Sequence, residues 1–165
     1  MCFSLLKGEN SLSASSPLDE WRFLVGTWKG TSKDEYGEKG VIENVVTFSL
    51  EHGERFIMAK GEAHCEGRLL NSDISLLFYD KAADKFRRKS FFSYGFVNNE
   101  VEYSRSSSEI RFDISIEPLP KQFEGTRWRS FIKKLAENRI TLGLEMAQGE
   151  EEFKSYGETT YTKTS

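Results

Sequence analysis

The sequence predicts an all-β fold: an antiparallel up-and-down β-barrel of about ten strands behind a short N-terminal helical turn. Three observations carry that expectation. The 165 residues hold 13 Phe, 6 Tyr and 3 Trp but only 3 Pro, an aromatic load that suits strands and a barrel interior. Turn signals recur at short, regular intervals between Thr27 and Lys163, separated by segments of strand length. Registers derived separately from several turns give an apolar inner face and a charge-paired outer face. Residues 17–165 are expected to form one β-barrel domain, and residues 1–16, with GENSLSASS, a flexible leader.

The elements follow in order. Pro17-Leu18-Asp19-Glu20 places Pro and acids where a helix start favours them, and Gly26 ends that turn. The first strand spans Thr27 to about Lys33, and Asp34 to Gly40 form a turn region. The second strand covers about Val41–Leu50, and His52-Gly53 is a two-residue turn signal. The third reaches about Cys65, and Glu66-Gly67-Arg68 turns into a fourth over Leu69–Tyr79. Asp80 to Asp84 connect to a fifth at Lys85–Ser93, and Tyr94-Gly95 turns into a sixth at Phe96–Arg105. Ser106-Ser107 leads to a seventh at Ser108–Glu117, where Pro118-Leu119-Pro120 breaks the ladder. The eighth is about Phe123–Lys134. A turn at Ala136-Glu137-Asn138 leads to the ninth, Arg139–Ala147, and Gln148-Gly149 to the tenth, Glu150–Lys163.

Turns set register, and paired residues share a face. A two-residue Tyr94-Gly95 turn sets Phe92 opposite Val97, Ser90 opposite Asn99, Arg88 opposite Val101 and Phe86 opposite Tyr103, all inward. Outside, Lys89 then meets Glu100, Arg87 meets Glu102, and Glu102 also meets Arg111 across the Ser106-Ser107 turn. The Asn138 turn puts Trp128 with Met146 and Ser130 with Leu144 inside, and Arg129 with Glu145 outside. Gln148-Gly149 puts Phe153 with Leu144 and Ser155 with Leu142 inside, and Glu158 with Arg139 outside. His52-Gly53 puts Phe48 with Ile57 and Val46 with Ala59 inside. The expected inner face also holds Ile74, Leu76, Phe78, Phe112 and Ile114.

Gly26-Thr27-Trp28 after a short helical turn, followed by antiparallel strands, resembles the Gly-x-Trp opening of calycins, the lipocalins and fatty-acid-binding proteins. ISLLFYDKAADKF at 74–86 and the strand-rich tail are similar to nitrobindin-like and uncharacterised lipocalin-like barrels. The resemblance covers most of residues 17–163. It implies a barrel plugged at one end, with Gly26 and Trp28 structural and Lys163 over Trp28 as a cation–π partner. The turn region from Asp34 to Gly40 is too short for the helical lid of fatty-acid-binding proteins. Arg127-Trp128-Arg129 resembles the arginine strands that hold carboxylates in those proteins, yet the register sends both arginines outward. Nitrobindin-like haem domains carry an axial His near their C-terminus. The tail from Tyr156 to Lys163 has none, so neither haem nor another cofactor is expected.

Arg88 is the most informative residue. The turn-derived register puts it mid-strand on the inner face, with no mid-strand inner carboxylate to neutralise it. A buried guanidinium needs a partner. A ligand with an anionic or carbonyl-bearing head would supply one, helped by Ser90, Asn99 and Tyr103. Otherwise Arg88 reaches a barrel mouth, bonds backbone carbonyls, or is turned outward by a bulge. Phe112, Trp128, Ser130 and Phe153 complete the expected ligand-binding set. No catalytic residue is assigned. His52 sits in a turn and His64 on an outer face, without companions at metal spacing, so no metal site is expected. Cys65 has inner parity but no His beside it.

The net charge of −3 argues against nucleic acid or an anionic membrane surface as partner. No apolar run approaches the roughly 20 residues of a membrane helix, and Met1 to Leu6 lack a signal-peptide core. Cys2 and Cys65 make no disulfide framework. These features point to a cytoplasmic protein. The leading function is non-enzymatic binding of a small, mostly apolar ligand with a polar or anionic head inside the barrel. The alternatives are a calycin-like isomerase or lyase using cavity Arg, Asn and Tyr, and a self-filled structural barrel. Outward Phe56, Met58, Phe91 and Phe131 allow a homodimer.

Overall fold

In the computed structural model, which describes residues 16–33 and 38–164, ten antiparallel strands close on themselves. They are β1 (Gly26–Lys33), β2 (Val41–Glu51), β3 (Phe56–Cys65), β4 (Arg68–Asp80), β5 (Lys85–Phe92), β6 (Val97–Arg105), β7 (Glu109–Glu117), β8 (Thr126–Ala136), β9 (Arg139–Gln148) and β10 (Lys154–Thr164). Each pairs with its sequence neighbours, and β10 pairs with β1, so no edge is left open. The expected leader lies outside the described residues except for Ser16. No helix among the described residues is long and apolar enough to cross a membrane.

A 3-10 turn at Pro17–Leu24 closes one end. Ser16 caps it: its hydroxyl accepts the Leu18 N–H at 3.3 Å, and its own N–H donates to Asp19 at 2.8 Å. The turn buries Leu18, Trp21 and Leu24 against Ile57, Leu77, Phe86, Ile110, Ile132 and Ile140 at the barrel's lower end. Trp28 is fully buried above it, and its indole N–H donates to the Leu24 carbonyl at 2.6 Å. Lys163 pairs with Trp28, donates to the Phe23 carbonyl at 2.9 Å, and lies 5.2 Å from the indole centroid. Gly26 has φ +127°, and Lys163 Cε lies 2.7 Å from where a Cβ would sit. A side chain there would be strained by that φ and would displace the Lys163 stem.

Several registers match expectation. Trp128 pairs with Met146, Ser130 with Leu144 and Arg129 with Glu145. The β2–β3 turn has four residues, His52 to Arg55, closed by the Arg55 N–H on the Glu51 carbonyl. Phe48 therefore pairs with Ala59 and Val46 with Gly61. That shift is even, so the expected faces survive.

Two strands present the face opposite to the one expected. β5 and β6 are joined by Ser93-Tyr94-Gly95, with Phe92 bonding to Phe96 and Gly95 at φ +87°. A three-residue hairpin loop ending in a left-handed glycine adds one residue to the two-residue turn. Arg88 thus pairs with Glu100 rather than Val101, and Ser90 with Asn98 rather than Asn99. Glu100 and Asn98 face inward, Asn99 and Val101 outward. A bulge at Tyr103 then leaves that ring outside and 49% exposed. In β4 the pairing steps from His64 with Leu69 to Ala63 with Asn71, a bulge at Leu70. Asn71, Asp73, Ser75 and Leu77 therefore point inward, while Ile74, Leu76 and Phe78 point outward. Ile74 is 46% exposed beside Phe91, itself 45% exposed.

Two further expectations are corrected. The β9–β10 connection is longer than a two-residue turn and a bulge follows at Tyr156, so Gly157 rather than Phe153 faces Leu144 and Thr159 rather than Ser155 faces Leu142. Glu158 meets Gly143 rather than Arg139. The outer ladder of Arg87, Glu102 and Arg111 does not form. Glu102 turns inward, accepts the Phe86 N–H at 2.7 Å and lies 3.6 Å from Arg105. Arg87 meets Asp80 at 2.8 Å, and Arg111 meets Glu109 at 2.7 Å and Glu145 at 2.8 Å.

Two substitutions check this account by equilibrium denaturation. Trp28→Ala should lose about 3–5 kcal/mol, the usual cost of truncating a buried aromatic; an unchanged midpoint would contradict the plug. Glu102→Ala should lose about 1–3 kcal/mol, because the acceptor of a nearly buried backbone N–H is removed. An outer-ladder Glu102 would be near neutral on substitution.

Candidate functional site: a polar wall in a half-hollow barrel

The interior divides along the barrel axis. Toward the plug it holds the fully buried Trp21, Trp28, Phe86 and Phe112. Toward the opposite end, which carries the 93–96 and 118–125 loops, a cavity of about 990 Å³ remains. The small inward residues of β3, Ala59, Gly61 and Ala63, and Gly157 on β10 leave that space. Its walls differ in chemistry. Val46 and Phe48 on β2 and Leu142 and Leu144 on β9 make apolar surface. Asn71, Asp73 and Ser75 on β4, Arg88 and Ser90 on β5, and Asn98 and Glu100 on β6 make one continuous polar wall.

A compact ion-pair network anchors the polar wall. The Arg88 Nε donates to Glu100 Oε2 at 2.9 Å and a terminal nitrogen donates to the same oxygen at 2.5 Å. That terminal nitrogen also donates to the Ser130 hydroxyl at 2.9 Å, reaching across to β8. Ser130 in turn donates to Glu100 Oε2 at 2.5 Å, and Ser90 donates to Oε1 at 2.9 Å. The Glu100 side chain is 1% exposed, so each oxygen needs these donors. Phe112 floors the network, its ring centroid 5.1 Å from the guanidinium carbon.

Asp73 stands above this network. It pairs with Gly61 on β3 and Phe92 on β5. A methyl group on Gly61 would overlap the Asp73 carboxylate, so the glycine keeps open the space that the carboxylate occupies. Among the described residues Asp73 has no hydrogen-bond or ion-pair partner. Burial pushes its pKa up to about 6; Arg88 opposes the rise and Glu100 adds to it.

The expected ligand-binding residues separate into three groups. Arg88, Ser90, Phe112 and Ser130 come together as described. Trp128 is inward but packed between Phe123 and Tyr156, with centroids at 5.3 and 4.9 Å, so it supports the rim rather than lining the cavity. Asn99, Tyr103 and Phe153 are not in the cavity. Tyr103 and Phe153 sandwich the outward Arg129 at 3.9 and 4.0 Å, and Asn99 faces out with Lys89. Sequence reasoning missed Glu100 and Asp73. The glycine at the third position of the Ser93-Tyr94-Gly95 loop was the signal for Glu100. Among the described residues, no group of three or more His, Cys, Asp or Glu is placed to hold a metal. His64 lies outside, 3.0 Å from Glu62, and Cys65 is buried.

No protein-family model and no curated protein matches the chain. Among solved structures, it is similar to Rv2717c from M. tuberculosis, with a TM-score of 0.64 and 16% identity over 91% of this chain and 99% of that one. It is also similar to a redesigned β-barrel, b11L5F_LGL, with a TM-score of 0.47 and 12% identity over 92% and 100%. The likeness to Rv2717c is one of fold.

Two stability measurements test the wall. Arg88→Met strands a buried carboxylate and should cost about 3–5 kcal/mol, much of which Glu100→Gln in the same chain should restore. An Arg88→Met chain of unchanged stability would show the pair to be unimportant. For Asp73 the folded-state pKa of about 6 lies above the unfolded 3.8. Its stabilising contribution is therefore full below pH 3.8 and lost as pH rises through about 6. Asp73→Asn should then stabilise the fold at pH 7.5 by up to about 3 kcal/mol, and the gain should vanish near pH 4.

Proposed function

We propose that the protein binds a small amphipathic molecule in the open half of the barrel, its apolar body against β2 and β9 and its polar head on the β4–β6 wall. The cavity carries this reading: at about 990 Å³ it stands at the upper end of the usual small-molecule range. Its walls are lined unequally, as an amphipathic ligand requires. The anionic head expected from Arg88 alone is dropped, since Glu100 already answers that charge at 2.5 Å. Calycin membership is part of the proposal. Gly26-Thr27-Trp28 and Lys163 over the Trp28 ring support it.

One observation favours a second reading, a calycin-like enzyme. Asp73, titrating near 6 inside a cavity, lies in the range useful for proton transfer. That reading requires turnover whose pH–rate profile breaks near 6 and which Asp73→Asn abolishes. A homodimer through exposed Ile74 and Phe91 is a separate proposal, tested by sedimentation.

Binding is tested with the neutral dye Nile red and by native mass spectrometry of the purified protein. The dye should bind saturably at one site. Leu144→Trp, which adds bulk at the apolar wall, should weaken it at least about tenfold, equivalent to about 1.4 kcal/mol. Binding untouched by Leu144→Trp would place the dye outside the barrel and remove the support for this function.

A further inference from the structure

Charge balance inside the cavity points to a ligand class that Arg88 alone did not suggest. The two ionised partners at its base are mutually satisfied: Glu100 receives Arg88 and both serine hydroxyls, and Arg88 gives its Nε and a terminal nitrogen to Glu100 and Ser130. Asp73 has no such partner among the described residues. The groups that face it can be named strand by strand. On β3 the inward residues are Ala59, Gly61 and Ala63, all uncharged. On β5 they are Phe92, Ser90 and, deeper, Arg88, and on β6 Asn98 and Glu100, with Glu102 further toward the plug and held by the Phe86 N–H and Arg105. Asn71 and Ser75 flank Asp73 on its own strand. With Asp73 ionised, one cation and two carboxylates leave the wall with a surplus negative charge.

We propose that the cavity selects a molecule bearing a protonated amine on an apolar body, with the Asp73 carboxylate as its counter-ion. This rests on the cavity-binding reading above. An ammonium brings three donors and no acceptor. Asp73 accepts one, and the Ser75 and Ser90 hydroxyls, paired across β4 and β5, offer acceptor oxygens beside it. A ligand carboxylate would meet two carboxylates and a guanidinium already engaged. A neutral alcohol gains a hydrogen bond but no charge pairing.

The test uses three probes of equal length, decylamine, 1-decanol and decanoate, titrated calorimetrically into the whole protein. At pH 7.5 decylamine should bind at least about tenfold more tightly than 1-decanol, the scale of a charge-assisted bond over a neutral one, and decanoate should bind most weakly. Asp73→Asn should abolish the ratio between amine and alcohol. A second measurement needs no variant. Because the free carboxyl titrates near 6 and the ammonium stays charged, the amine's affinity should fall about tenfold from pH 7.5 to pH 5, with no such fall for the alcohol. Equal binding of amine and alcohol by the natural chain overturns the amine assignment and leaves the cavity reading standing. An amine preference that survives Asp73→Asn does the same. Failure of all three probes to bind overturns both.

Discussion

Closure of the barrel depends on one cluster where the two ends of the domain meet. Trp28 on the first strand donates to the Leu24 carbonyl of the plug, and Lys163 on the last strand donates to the Phe23 carbonyl one residue away. Lys163 also covers the Trp28 ring, and Gly26 clears room for its stem. The pairing of β1 with β10 removes the two free edges that ten strands in a row would otherwise expose. A plug on one end also concentrates the large side chains there, and small inward residues elsewhere leave the other half hollow. Stability and cavity are thus assigned to opposite ends of one barrel.

The hollow half poses a different problem. Its β4–β6 wall buries charged and amide side chains, which is costly unless they are paired. Arg88, Glu100, Ser90 and Ser130 solve this by mutual bonding, and Ser130 ties the wall to the far side of the barrel. Asp73 is left out of that solution and carries a raised pKa as a consequence of burial. A group held in an unfavourable state inside a cavity is where a ligand would contribute most, and that asymmetry separates Asp73 from Glu100 although both are inward carboxylates.

The outer face inverts the usual expectation. Ile74, Leu76 and Phe78 on β4 and Val97 and Val101 on β6 point away from the barrel axis, and Phe78 packs against Phe56 with centroids 5.7 Å apart. Arginine over aromatic rings covers part of this surface elsewhere, as with Arg129 between Tyr103 and Phe153 and Arg111 over Phe131. Apart from Leu77, which packs in the core, the apolar residues at the middle of these two strands therefore lie outside, opposite the polar wall.

Strand spans, barrel class, the plug and the registers of β8 with β9 were legible in the sequence, because turn residues and hydrophobic alternation are local and their signals agreed. Trp28 and Lys163 were legible through the resemblance of the Gly26-Thr27-Trp28 opening. The facing of β4 and β6 was not. Each departs by a single residue, at the Leu70 bulge and in the three-residue loop ending at Gly95, and a one-residue slip turns a whole strand over. Electrostatics could not arbitrate, since Lys89 and Arg88 both find Glu100 opposite in one register or the other. Hydrophobicity pointed the wrong way, because it assumes that polar residues seek water. The sequence by itself determined which segments are strands and how they close. Only the tertiary structure decided that Glu100 and Asp73 face inward, because each facing turns on a single residue, in the loop ending at Gly95 and at the Leu70 bulge, and pairing with the neighbouring strands fixes that residue.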